Sequence, residues 1–138
     1  MTPESGMSTA QRRALLATTP NPGERLDYLV MLEGAVDLGG YDRRVAARLC
    51  YVADRRVLSL DAFSAYLDAV AKSAWPTLEA AAIFMLGDIN NELIPRWAQI
   101  RLITGSDGRE HGHSVIIEDR QPGWDNPTIL ARHGMLES

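Results

Sequence analysis

The amino-acid sequence predicts an α+β domain: an antiparallel four-stranded sheet carrying two helices on one face. Three observations predict it. Apolar side chains alternate at every second position in four segments, two early and two late in the chain. A helical period of apolar residues fills the interval between them, broken once at Trp75-Pro76-Thr77. Turn-forming runs, Gly39-Gly40-Tyr41-Asp42 and Gly105-Ser106-Asp107-Gly108, join the segments within each pair, so each pair reads as antiparallel. With both helices inserted between the two strand pairs, one sheet face is covered and the other, with the strand edges, is left for something else. A ring-forming oligomer is the expected cover.

The elements follow in chain order. Met1 to Ser8 are small and polar and are expected to be mobile, Thr9 to Thr18 suit a short helix, and Thr19-Pro20-Asn21-Pro22-Gly23 is a breaker run. Residues 1–23 therefore read as a flexible extension, and the folded domain is expected to begin near Glu24 and run to residue 120. In Arg25 to Glu33 the residues Leu26, Tyr28, Val30 and Leu32 lie on one side of a strand, with Leu29 and Met31 on the other. Val45, Ala47, Leu49 and Tyr51 alternate in the second strand, on the opposite side from Arg44, Ala46, Arg48 and Cys50.

Ala53-Asp54-Arg55-Arg56 reads as a polar turn, after which Phe63, Leu67 and Val70 make a helical stripe with Asp61 near its start. Pro76 suits the first turn of a second helix, where its missing N–H has no intrahelical partner. That helix runs to about Leu93 with Leu78, Ala82, Met85 and Ile89 inward, and Pro95 stops it. Trp97 to Ile103 and Ser114 to Glu118 are the third and fourth strands. Residues 121–138 form a tail, with a turn at Pro122 to Pro127 and a short helix from Thr128 to Arg132, expected to pack on the domain or on a neighbouring subunit.

Composition narrows the function classes. With 138 residues and 46% of them hydrophobic, the chain has enough apolar material for one core. A net charge of −4 with scattered arginines lacks the basic footprint of a nucleic-acid binder. Cys50 is the only cysteine, which excludes a disulfide framework or a cysteine-rich zinc motif and fits a reducing compartment. No apolar run approaches the roughly 20 residues of a membrane-spanning helix, and Met1 to Gly6 show no secretory pattern. The expected setting is cytoplasmic, with no nucleic-acid or membrane partner.

Several motifs carry a family resemblance. Glu79 lies sixteen positions before Pro95-Arg96-Trp97. Tyr51-Val52-Ala53-Asp54 and Ala65-Tyr66-Leu67 precede it, and the stretch Arg109-Glu110-His111-Gly112-His113-Ser114-Val115 follows. In this order and spacing, from about Tyr28 to Glu118, the chain resembles the 7-cyano-7-deazaguanine reductase family, whose counterparts read Tyr-x-Pro-Asp, Leu-Tyr-Leu, Glu before Pro-Arg-Trp, and Arg-Gly-Gly-x-His-Thr-Val. The resemblance implies the tunnelling fold, a homo-oligomer with active sites at subunit interfaces, and a purine-anchoring role for Glu79.

The departures from that family redirect the chemistry. Its nucleophilic cysteine falls near Val36, in Gly34-Ala35-Val36-Asp37, where no thiol is present, so thioimide chemistry on a nitrile is not expected. The family's aspartate corresponds to Asp42 or to Asp37. Leu78 replaces the histidine beside the anchoring glutamate, and Leu58-Ser59-Leu60-Asp61-Ala62 replaces the lysine-bearing cofactor motif, so NADPH binding is not supported.

Each candidate residue has a functional and a plain reading. Glu79 either accepts two parallel N–H bonds from a heterocycle's edge or completes the N-terminus of its own helix. His111 and His113, two apart, point to one face of a strand and are placed to share a metal such as zinc, or they decorate a polar hairpin. His-Gly-His resembles the zinc triplet of 6-pyruvoyl-tetrahydropterin synthase, and His133 is the remaining histidine. Asp42 and Asp37 serve as general base or as turn residues. Val36, Tyr41 and Arg109 would line a substrate pocket. Cys50, Trp75 and Trp97 read as core residues.

The expected activity is an enzyme acting on a purine- or pterin-like ring by acid–base or metal-assisted chemistry. Asp42, Asp37 and His113 would be its catalytic residues. The alternatives are a non-catalytic tunnelling-fold binding or structural protein, and a specialised cyclase or lyase reusing the pocket.

Overall fold

A computed structural model of the protein describes residues 7–38, 45–105 and 111–137. In chain order its elements are α1 (Thr9–Ala14), β1 (Thr18–Pro20), β2 (Leu29–Val36), β3 (Val45–Val52) and β4 (Arg56–Leu58). There follow α2 (Leu60–Ala71), α3 (Leu78–Leu93), β5 (Trp97–Thr104), β6 (His113–Arg120) and α4 (Pro127–Glu137). Four of the strands form one antiparallel sheet in the order β2-β3-β5-β6. The expected α+β architecture with a four-stranded antiparallel sheet is therefore present.

Alternation decides which residues meet the helices. Val45, Ala47, Leu49 and Tyr51 on β3 and Ala98, Ile100 and Leu102 on β5 are buried, packed with Phe63, Tyr66, Leu67 and Val70 of α2 and with Leu78, Ala82, Met85 and Ile89 of α3. Tyr28, Val30 and Leu32 join them at the β2 edge, whereas Leu26 is 63% exposed. The first large strand accordingly starts later and runs further than its alternation suggested, to Val36. An added Cβ on Gly34 would lie 2.7 Å from a Leu67 methyl, so the absence of a side chain there lets α2 sit close on β2.

The helix starts obey capping chemistry. Ser59 Oγ accepts from the Ala62 N–H and Thr77 Oγ1 from the Ala80 N–H, each satisfying a donor with no intrahelical partner. Pro76 is thus outside α3 rather than in its first turn, because the Thr77 hydroxyl takes the cap position. At the other end the helix closes on Ile94, a β-branched residue at φ 47, whose N–H still reaches Asn90 O at 3.2 Å.

Two regions differ from the expected layout. The structure carries packing earlier than residue 24: Ser8 and Gln11 form a capping box for α1, and β1 pairs with β4. Arg12 is fully buried, its Nε donating to Asp88 Oδ2 at 2.9 Å, while Arg13 Nε donates to Asp88 Oδ1 at 2.8 Å and Tyr66 to Oδ2 at 2.6 Å. The other difference is on the sheet's far face, for which a ring-forming oligomer was the expected cover: α4 covers part of it, so the tail packs on its own domain, one of the two placements expected for it. Ile129 of α4 packs with Cys50, Val52 and Trp97, flanked by Leu29, Met31, Trp124 and Leu130. The tail helix is longer than its Thr128 to Arg132 estimate because Pro127 suits a first turn and Asn126 Oδ1 accepts from the Ile129 N–H.

Candidate functional site

Glu79 stands in the first turn of α3 and His113 opens β6, thirty-four positions later. Val115 and Ile117 pack into the core beneath the helices, and by the same alternation His113 points to the helix side of the sheet. Its Nε2 comes within 3.2 Å of Glu79 Oε2. A carboxylate only accepts, so Nε2 carries the proton in this contact. Thr104 pins the strand end by donating from Oγ1 to His113 O. Both side chains are about half exposed, at 45% for His113 and 56% for Glu79, so their attraction is screened but both reach solvent.

The Glu79 carboxyl is held below its ordinary pKa, first by its own backbone N–H and then by His113. The first cause is the helix-terminus role and the second is a specific partner on β6. Glu79 therefore fills the plain role and still presents an ionised carboxylate with acceptor positions to spare.

The remaining predicted residues are distributed as follows. Val36 is 2% exposed at the end of β2, and Asp37 follows it, exposed. Val36 pairs with Val45, and at the same end of the sheet Thr104 pairs with His113. Val36 and His113 thus sit at opposite edges of one end, about 14 Å apart for three strand spacings. Within a single chain, Val36 and Asp37 do not join the Glu79–His113 pair. Tyr41, Asp42 and Arg109 lie outside the described residues. His111 is exposed just before β6.

For the metal reading, the donors brought together are one imidazole and one carboxylate. Among the described residues no group of three His, Cys, Asp or Glu is placed to hold a metal, and a zinc site needs at least three protein ligands. His133 does not join them: it is buried on the other side of the sheet, 3.3 Å from Cys50 Sγ through Nδ1 and 2.9 Å from Gln99 Oε1 through Nε2. Parity is the reason, since Cys50 and Gln99 occupy the face of β3 and β5 turned away from α2 and α3.

Sequence reasoning assigned no role to the group at the opposite end of the sheet, centred on Arg96. Its guanidinium donates to Leu26 O at 2.8 Å, to Asp27 Oδ1 at 2.9 Å, to Asp54 Oδ1 at 3.3 Å and to Glu24 O. Trp124 Nε1 and Asn126 Nδ2 complete the shell of Asp27 at 3.2 and 2.9 Å. Burial works against the Asp27 carboxylate, but bonds from Asn126, Arg96 and Trp124 outweigh it and lower its pKa. Nearby, Ile94 stands between two clefts. One, of about 360 Å³, is lined by Asp54, Arg55, Arg56 and Leu93; the other, of about 170 Å³, by Asn90, Pro95, Asp119, Arg120 and Gln121. The Pro-Arg-Trp motif was visible in the sequence, but partners 42 to 72 residues away were not.

No protein-family model matches the chain, and no curated protein matches it in sequence. Among the described residues, no helix is long and apolar enough to cross a membrane.

Proposed function

We propose that this chain binds a planar nitrogen heterocycle of purine or pterin type through Glu79, with His113 as the acid–base partner, at a joint between copies. The observation that carries this reading is the 3.2 Å contact between Glu79 on α3 and His113 on β6. An ionised carboxylate that spends one lone-pair direction on an imidazole retains others for the paired N–H groups of a ring edge. The imidazole, half exposed, is able to exchange a proton with a bound ring and with solvent. Without a thiol near Val36, the chemistry proceeds by proton transfer rather than through a covalent cysteine adduct.

The topology supports a site between copies. β2 and β6 are the two edges of an even-stranded antiparallel sheet and run in opposite directions, so β6 of one copy and β2 of the next can extend the sheet antiparallel. Repetition of that head-to-tail joint closes a ring when the rotation per copy permits. In the aligned register, Val36 and Asp37 of the neighbouring copy would stand about 5 Å from the His113 strand end. Val36 then lines the site from the helix side, with Asp37 just beyond the strand end, and the tunnelling fold is the arrangement proposed.

A second reading is a non-catalytic binding or structural protein. It is favoured by the exposure of the pair and by the presence of two clefts at the other end of the sheet, around Ile94. A cyclase or lyase of specialised metabolism would use the first reading's pocket with a different ring. Calorimetry and thermal shift with guanine- and pterin-type rings, with and without zinc, test these readings on wild type and Glu79→Gln, alongside sedimentation. Binding by an oligomer that is lost in Glu79→Gln, with the fold retained, supports the heterocycle site. Absence of binding in an intact oligomer favours the structural reading, and binding only with zinc makes the site metal-assisted.

A further inference from the structure

Ile94 occupies a backbone position that its own chemistry disfavours. It closes α3 at φ 47, where glycine is the usual residue, and its β-branched side chain is 62% exposed. Burial therefore does not offset the strain, and the helix would end there more stably on a glycine. A residue held in a strained conformation without a packing reason points to a use for its side chain. That side chain forms a wall of the larger of the two clefts at this end of the sheet.

The cleft, of about 360 Å³, has two sides that are each held in place. Leu93 and Ile94 form the apolar side, and Asp54 and Arg55 of the β3–β4 turn, with Arg56 at the start of β4, form the other. One side-chain amide ties the two together: Gln121 Nε2 donates to Asp54 Oδ2 at 3.0 Å and to Ile94 O at 3.2 Å. Asn21 braces the turn, its Nδ2 donating to Asp54 O at 2.7 Å and its N–H to Arg55 O at 2.9 Å. The volume falls near the lower end of the roughly 300–1,000 Å³ of small-molecule sites.

Charge decides what fits. The Asp54 carboxylate is already met by Gln121 and by Arg96 at 3.3 Å, so it is offset within the framework. Arg56 donates from Nε and Nη2 to Thr18 at 3.0 and 2.7 Å, which leaves its third guanidinium nitrogen for a ligand. Arg55 is exposed, and among the described residues its guanidinium has no hydrogen-bond or ion-pair partner. The cleft thus offers the full fork of one arginine and one nitrogen of a second, beside an aliphatic wall. The two oxygens of a carboxylate match that donor set, bidentate on Arg55, whereas the three oxygens and larger charge of a phosphate exceed it.

We propose that this cleft binds a small aliphatic carboxylate, its head on Arg55 and Arg56 and its chain on Leu93 and Ile94. The strain at Ile94 is the cost of presenting an apolar side chain to the ligand from the end of the helix. The site is separate from the Glu79–His113 pair, because Glu79 and Ile94 stand at opposite ends of α3, about 22 Å apart at 1.5 Å per residue.

The test is a titration of the full, isotope-labelled chain with hexanoate, followed by amide NMR and repeated with hexan-1-ol. Saturable shifts are expected at Arg55, Arg56, Leu93 and Ile94, with affinity lower by roughly tenfold or more for the alcohol and for Arg55→Gln. Ile94→Gly should also bind roughly tenfold more weakly while gaining stability, a pairing that a purely structural role for Ile94 does not produce. Glu79→Gln should bind hexanoate as wild type does. No saturable shift at these four amides with millimolar hexanoate would overturn the proposal. So would equal binding of the alcohol, undiminished binding in Arg55→Gln or Ile94→Gly, or shifts centred on Glu79 and His113 that vanish in Glu79→Gln.

Discussion

Replacing Asp88 by leucine should unseat the N-terminal helix at a cost large enough to measure by ordinary denaturation. Asp88 is 1% exposed and accepts from Arg12, Arg13 and Tyr66. Burial opposes the Arg12 charge, but the bond to Asp88 and its charge raise the guanidinium pKa above the ordinary value. Burial, followed by the Asp88 charge, pushes the Tyr66 hydroxyl well above its own, so Arg12 stays charged and Tyr66 stays a donor. Removing the carboxylate leaves a buried cation without its counter-ion, a loss of about 3–5 kcal/mol in comparable cases. That is a large fraction of the roughly 5–15 kcal/mol that separates a typical domain from its unfolded state.

The assay is urea denaturation followed by tryptophan fluorescence, with Trp75 reporting locally because the Arg12 guanidinium lies 5.5 Å from its ring centroid. Arg12→Leu should be less costly than Asp88→Leu, because Arg13 and Tyr66 still serve the carboxylate. The double variant should cost less than the sum of the two, since the only cation it leaves without Asp88 is Arg13, which is partly exposed to water. A loss below about 1 kcal/mol for Asp88→Leu, or strict additivity in the double variant, would refute the claim that this network anchors α1.

Three further outcomes are expected. Ile94→Gly should stabilise the domain by about 1 kcal/mol in the same assay, because relief of left-handed strain exceeds the loss of a side chain that is 62% exposed. The folded-state pKa of Asp27 is depressed, so its contribution is present above the unfolded carboxylate pKa and is lost as pH falls through the folded value. Urea midpoints should therefore fall as pH drops below about 4, the ordinary carboxylate value, and less steeply in Asp27→Asn. Arg96→Ala should cost about 2–4 kcal/mol by stripping donors from Asp27 and Asp54 and freeing residues 24–27, read as a lower midpoint with early proteolysis of that segment.

The sequence by itself determined the four long strands, the two central helices and most of their inward faces, though not the β1–β4 pair. Alternation in Val45 to Tyr51 and the stripe Leu78, Ala82, Met85 and Ile89 are local consequences of 2.0- and 3.6-residue periods, and each of these residues is buried as its period requires. The candidate pair was legible only in part. Glu79 and His113 were both singled out, but nothing local says that a helix start and a strand start thirty-four residues apart meet at 3.2 Å. Tertiary structure alone decided that His133 leaves the other histidines for Cys50, that Asp88 holds Arg12, and that Arg96 gathers Glu24, Asp27 and Asp54. In these contacts a polar side chain is satisfied by a partner remote along the chain. Periodicity records only which side of an element faces inward; which remote donor meets which acceptor is set by how the sheet and helices stack.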